Sequence, residues 1–132
     1  MGATYSKTDV TIELLNREPA SYFVYSDNMS RQKSDGSASL RQHPRTVGFV
    51  VEKEPAAKPS RYFKTEEYAK MFFDQLRQLS DIIKNDRGKK YYISRLGAES
   101  SNKFYIWERL IKHSLEAELG ELDNVVFCWE QY

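Results

Sequence analysis

Cys128 is the only cysteine in the chain, so no disulfide framework can form within it, and a reducing, cytoplasmic setting is expected. Only two histidines occur, His43 and His113, and neither stands in a Cys/His cluster with metal-ligand spacing. No metal and no other cofactor is therefore expected. No apolar run approaches the ~20 residues that span a bilayer, and the first seven residues lack the apolar stretch of a secretion signal. Met1-Gly2 followed by Ser6 matches the short myristoylation pattern, but no polybasic patch accompanies it, and no membrane partner is expected. An excess of one charge is missing too. With 20 Lys and Arg against 19 Asp and Glu, the net charge of +1 offers no long-range field to nucleic acid. No Ser or Cys sits in a G-x-S-x-G elbow with a paired His, which argues against nucleophilic catalysis.

What remains is an ordinary globular composition, 40% hydrophobic and 30% charged over 132 residues. Such a chain buries roughly two-thirds of its unfolded surface as one domain. Residues 1–132 are read as a single Rossmann-like domain, with 1–20 as an N-terminal arm or edge strand. Alternating polarity at Val10, Ile12 and Leu14 suggests that edge strand or a short amphipathic arm. Core strands are predicted over 22–26, 46–51, 90–94 and 124–129. Between them lie a short helix over 37–42, stopped by His43-Pro44, and a long one capped by Thr65 and ending near Lys84. A third runs from Ser101 or Asn102 to Gly120. The second helix carries a stripe of Tyr68, Phe72, Leu76, Leu79 and Ile83, with Glu66 and Glu67 favouring its N-terminus. The third would bury Phe104, Trp107, Leu110, Ile111 and Leu115.

Strands alternating with helices imply right-handed crossovers and a mainly parallel four- to five-stranded sheet with helices on both faces, an α/β fold. A 2-1-3-4 order of the core strands would put the reversal point between the first and third. The polar loops Ser26–Gly36 and Arg95–Asn102 would then line one crevice at the carboxyl ends of the strands.

Several residues in these loops suit a ligand. Asp27 and Asn28 fit a ribose or base edge, although an Asx turn needs the same residues. Arg41 and Arg95 fit a phosphate through a bidentate fork, or else pair with Asp35 or Glu99. Ser100, Ser101 and Asn102 fit an anion at a helix N-terminus as well as they fit N-capping. Glu99 is the one carboxylate of its loop and the candidate general acid or base. Tyr62, after a proline-containing loop, is a candidate lid that stacks on a base. Tyr25, Tyr92 and Cys128 read as core. The expected arrangement has Asn28 and Ser101 on one side of the sheet with Arg95 between them.

The run Phe23-Val24-Tyr25-Ser26-Asp27-Asn28, then Gly36-Ser37-Ala38-Ser39-Leu40-Arg41, then Pro44 and Val47-Gly48-Phe49, resembles a family of small uncharacterised Rossmann-like proteins frequent in tailed-phage genomes. Those proteins read V-F-G-D-N, then G-x-G-G-Q-A with an Arg after it, then P-N-A-x-G-I, with a late G-x-G loop. Ser26 stands where the family has its first Gly, and of the late loop only Gly97 remains. The resemblance places Ser26, Gly36, Ser37 and Gly97 in a nucleotide-like pocket. The missing glycines pass anion contacts to the side chains of Lys33, Ser34, Ser37, Ser100 and Ser101.

The expected function is thus binding of a nucleotide or ADP-ribose-type ligand, as in a phage protein that sequesters a signalling nucleotide of host defence. Binding without turnover fits the sparse acid/base inventory. The alternatives are a nucleotide N-glycosidase or phosphoribohydrolase using Glu99, and a protein-interaction module that inhibits a host defence protein.

Overall fold

A computed structural model describes residues 2–33, 35–53, 59–99 and 101–131. Five parallel strands form one sheet: β1 (Thr4–Tyr5), β2 (Ser21–Asn28), β3 (Thr46–Glu52), β4 (Lys90–Ile93) and β5 (Val125–Phe127), in the order β1-β5-β4-β2-β3. The four core strands take the order expected from the sequence, with the reversal between β2 and β4. Their register pairs Phe23 with both Thr46 and Tyr92, and Tyr92 in turn with Val126.

Alternation along the strands divides the core into two layers. Val24, Phe49, Val51, Tyr91, Ile93, Val125 and Phe127 face the long helix α2 (Thr65–Lys84) and the helical segment that ends in α3 (Lys112–Leu119). Phe23, Tyr25 and Tyr92 face the opposite way, where among the described helical elements α1 (Ile12–Arg17) and a 3-10 turn (Gly36–Leu40) cover them through Leu14, Leu15 and Ala38. Coverage is therefore unequal: about nine turns of helix lie on one face and less than four on the other. The thinly covered face is where a cleft can form.

The α2 stripe is buried as its periodicity predicts, with Tyr68, Phe72, Leu76, Leu79 and Ile83 all below 5% exposed. The same helix closes the β3 edge. Gln75 accepts from the Val50 N–H at 2.8 Å and donates to the Val50 carbonyl at 3.0 Å, as a neighbouring strand would, and the Tyr68 hydroxyl also donates to that carbonyl.

Three expectations require correction. Residues 12–17 are helix, and the edge strand is Thr4–Tyr5 instead. Thr11 caps that helix by accepting from Leu14 N at 3.1 Å, so the adjacent pair Leu14 and Leu15 reaches the sheet while Ile12 stays half exposed. Thr65 is the first residue of α2 rather than its cap; the Lys64 N–H ahead of it bonds Glu67 Oε1 at 3.0 Å. The third helix begins later than expected, with a π turn over Trp107–Ile111 before α3, so Phe104 lies outside it and Ile106 takes the inner position. Asn102 starts it through a wide step, accepting from Trp107 N at 3.0 Å, a reach of five residues.

Candidate functional site

A cleft of about 730 Å³ opens on the thinly covered face, and its walls come from chain segments that leave four of the five strands. Thr8–Glu13 follows β1, and the 3-10 turn with Gly36, Ser37, Ser39 and Leu40 follows β2. Ser94, Arg95 and Glu99 follow β4, and Cys128 follows β5; Phe23 forms the side of the floor. Open parallel sheets take their ligands at this end, beside the strand reversal.

Each wall is held from behind. Ser26 joins two of them: its backbone N–H donates to Ser37 Oγ at 3.0 Å, and its own Oγ accepts from the Gly97 N–H at 3.1 Å. Arg45 fastens α1 to the start of β3 by donating to the carbonyls of Leu15, Glu18 and Ser21. Gly36, at φ +57°, lies so close to Glu99 that a Cβ there would stand 2.3 Å from Glu99 Oε2. Only a residue without a side chain allows this approach.

The cleft's ionised groups are unmatched. Among the described residues, Asp9, Glu13, Glu99 and Arg95 have no hydrogen-bonded or ion-paired side-chain partner, and the Arg95 guanidinium instead lies 5.5 Å from the centre of the Trp107 ring. Ser94 at the floor is 7% exposed, and its Oγ is buried without a hydrogen-bond partner among the described residues. Cys128 is half-buried there; burial, aided by Asp9, pushes its thiol up to about 12, so it stays protonated at neutral pH. A smaller cleft of about 320 Å³ adjoins through Thr8, Asp9, Arg95 and Cys128 and adds Lys7, Lys112, Trp107 and Trp129.

The sequence-predicted residues divide into two groups. Gly36, Ser37, Arg95 and Glu99 line the cleft, with Ser26 and Gly97 joining its walls. The others lie elsewhere. Asp27 is fully buried and ion-paired with Arg41, whose Nε also donates to the Lys33 carbonyl at 2.7 Å. Asn28 accepts from Ser30 Oγ at 2.8 Å and Gln32 N at 3.3 Å, which is the local turn role. Asn102 caps the third helical segment and also donates to Glu108 Oε1 at 2.8 Å. Tyr62 is half-buried, bridged to Glu52 and flanked by Arg61 and Lys103, away from the cleft. Ser100, like Ser34, lies outside the described residues.

Among the described residues, neither of the clefts that Arg95 lines takes in Asn28 or Ser101. The reason is Glu52, at the carboxyl end of β3 and fully buried. A buried carboxylate demands partners, and it draws in Lys33 Nζ at 3.0 Å, Arg61 Nη2 at 3.0 Å and Ser101 Oγ at 2.8 Å. Burial works against the charge of Lys33, but its bonds to Asp35 and Glu52 outweigh that and raise its pKa. The crevice expected between the two loops is filled by this network, and the open site lies one sheet face away.

Sequence reasoning passed over Asp9, Thr11, Glu13, Ser39 and Ser94 as site residues, and Glu52 altogether. Ser94 closes the strand Tyr91-Tyr92-Ile93-Ser94, and Glu52 closes Val50-Val51-Glu52. A polar residue at the carboxyl end of an apolar parallel strand was the available signal.

The fold and the cleft define a single-domain α/β protein with an open parallel sheet and a cleft of mixed polar and apolar lining at the strands' carboxyl ends. Within that class, the chain belongs to the family of unknown function DUF7831, which it matches over residues 5–101, from β1 to the loop after β4. Neither the curated proteins nor the solved structures provide a match. Among the described residues no helix is long and apolar enough to cross a membrane.

Proposed function

We propose that the protein binds a nucleotide-type small molecule in the cleft between α1, the 3-10 turn and the loop after β4, and that it holds this ligand without converting it. One observation carries the reading. At the floor of the cleft beside the strand reversal, the Ser94 hydroxyl is buried with no partner among the described residues. Buried polar atoms are paired in the great majority of proteins, and a ligand hydroxyl or ring nitrogen reaching the floor would supply the missing bond. Arg95, without a carboxylate partner among the described residues, is the group for a phosphate, and Ser37 and Ser39 line the same cleft.

Retention rather than turnover follows from the chemistry of the lining. The protonated Cys128 thiol is a poor nucleophile, and His43 is engaged with Asn16 and the Arg45 N–H rather than with a hydroxyl of the cleft. In a phage setting, such a protein would act by sequestering a signalling nucleotide.

The test is to denature the purified protein, identify any released small molecule by mass spectrometry, and then titrate a panel of nucleosides and nucleotides by calorimetry. A ligand recovered unchanged supports the reading. Arg95→Ala should then weaken a phosphate-bearing ligand by about 1.5–3 kcal/mol, the range of a charged hydrogen bond. A converted product would place the protein among the nucleotide hydrolases, and a panel without any binding would overturn the reading.

A further inference from the structure

The charge of the cleft limits how much phosphate it can take. Asp9 and Glu13 line the wall after β1 and Glu99 the wall after β4, with Arg95 as the one cation among the described lining residues, and none of the four is neutralised by a side chain among the described residues. We infer that the cleft selects a nucleoside-type ligand bearing no more than one phosphate and discriminates against di- and triphosphates. This rests on the reading of the cleft as a nucleotide-type site.

The argument is one of counting charges. A single phosphate, carrying about −1.5 to −2 at neutral pH, takes the bidentate fork of Arg95 and already uses the one guanidinium. Every further phosphate adds negative charge to a cleft that already holds three carboxylates against one guanidinium, and nothing in the lining offsets it. Lys7 and Lys112 in the adjoining cleft do not restore the balance, because Lys7 pairs with Glu130 at 3.5 Å and Lys112 with Glu116 at 3.1 Å. Carboxylates are good acceptors for sugar hydroxyls, however, as in dinucleotide folds where an acidic residue holds the ribose. The Ser94 hydroxyl, more than nine-tenths covered and without a partner among the described residues, adds a neutral polar group at the floor. The same lining that repels polyphosphate therefore suits a neutral, hydroxyl-rich ligand body.

The experiment is calorimetry at low salt on the full chain, with the nucleosides of the four common bases and their mono-, di- and triphosphates. For whichever base binds, the nucleoside or monophosphate should bind at least about tenfold more tightly than the triphosphate, and added salt should narrow the gap. The combined variant Asp9→Asn, Glu13→Gln, Glu99→Gln changes only exposed side chains. It should bring the two affinities to within about threefold by removing the repulsion. A triphosphate that binds most tightly, or a preference unchanged in the variant, overturns the inference and leaves the nucleotide-type reading in place. No binding by any member of the panel overturns both.

Discussion

Ser101 donates its hydroxyl to Glu52 Oε2 at 2.8 Å, joining the loop after β4 to the carboxyl end of β3 inside the protein. The other oxygen of the same carboxylate takes Lys33 and Arg61. Glu52 thus ties three loops together behind the cleft. Removing one member of a buried ion pair leaves uncompensated charge, at a cost of about 3–5 kcal/mol. Glu52→Ala should therefore lose about that much stability, whereas Ser101→Ala should lose about 1.5–3 kcal/mol, the worth of one hydrogen bond to a charged group. Urea denaturation measures both. Equal and small losses would mean that the network is solvated rather than buried.

The strand order was legible because the apolar runs at 22–26, 46–51, 90–94 and 124–129 alternate with helical patterns, and right-handed crossovers leave few arrangements. The cleft was only half legible. Ser26, Gly36, Ser37, Arg95, Gly97 and Glu99 stand out in sequence as a polar loop following an apolar strand. Which face of the sheet they serve depends on where α1 packs, and the short run Thr11–Arg17 reads equally as strand or helix until Leu14 and Leu15 are seen side by side against Phe23 and Tyr92. Asn28, Ser101 and Asn102 meet protein partners, and for Asn28 an Asx turn and a ribose contact need the same side chain. Capping and anion binding draw on the same residue types, and only partner geometry separates them.

Gly36 and Gly97 both adopt positive φ, at +57° and +77°, yet alanine should affect them differently. At Gly97 the new Cβ would stand 2.9 Å from Ile111 Cδ1 and 3.1 Å from Ile106 Cδ1, two fully buried side chains. The left-handed backbone costs about 1–2 kcal/mol by itself, and overpacking adds about 1–3 kcal/mol more. At Gly36 the obstacle is the free end of the exposed Glu99 side chain, which can swing away. Gly36→Ala should cost only the backbone term in stability but displace Glu99 from the cleft and alter ligand affinity. Thermal melts with a parallel ligand titration separate the two, and a larger stability loss at Gly36 would contradict the packing described.

Phe72 and Trp107 test the helical layer. Phe72 is fully buried between Phe49 and Tyr68, and Trp107 is 3% exposed with its ring edge-on to Trp129. Truncating either to Ala should cost about 3–5 kcal/mol. Trp107→Ala should also weaken ligand binding, since Arg95 rests over that ring. If Trp107→Ala lowers the urea midpoint but leaves affinity untouched, Arg95 does not need the ring for its position.

Acid stability should carry the signature of Glu116. Its Oε2 accepts from the Tyr5 hydroxyl at 2.9 Å and Trp129 Nε1 at 3.2 Å, and Lys112 Nζ lies 3.1 Å from Oε1, so one carboxylate connects β1, α3 and the chain after β5. Burial alone would raise its pKa, but the bonds from Trp129, Tyr5 and Lys112 outweigh it, and the group titrates below the ordinary value of 4.5. A carboxyl whose pKa is depressed by folding takes up its proton more readily in the unfolded chain. Its contribution is thus complete above about pH 4.5 and is lost as pH falls through the folded-state value. Glu116→Gln should lower stability at pH 7 by about 1.5–3 kcal/mol. The difference between wild type and variant should then shrink steadily below about pH 4.5. Other carboxylates also titrate in that range, so the quantity to follow is this difference, from urea midpoints measured at pH 7 and downward to pH 3. A difference that stays constant over the whole range would show that Glu116 contributes by packing and not through its charge.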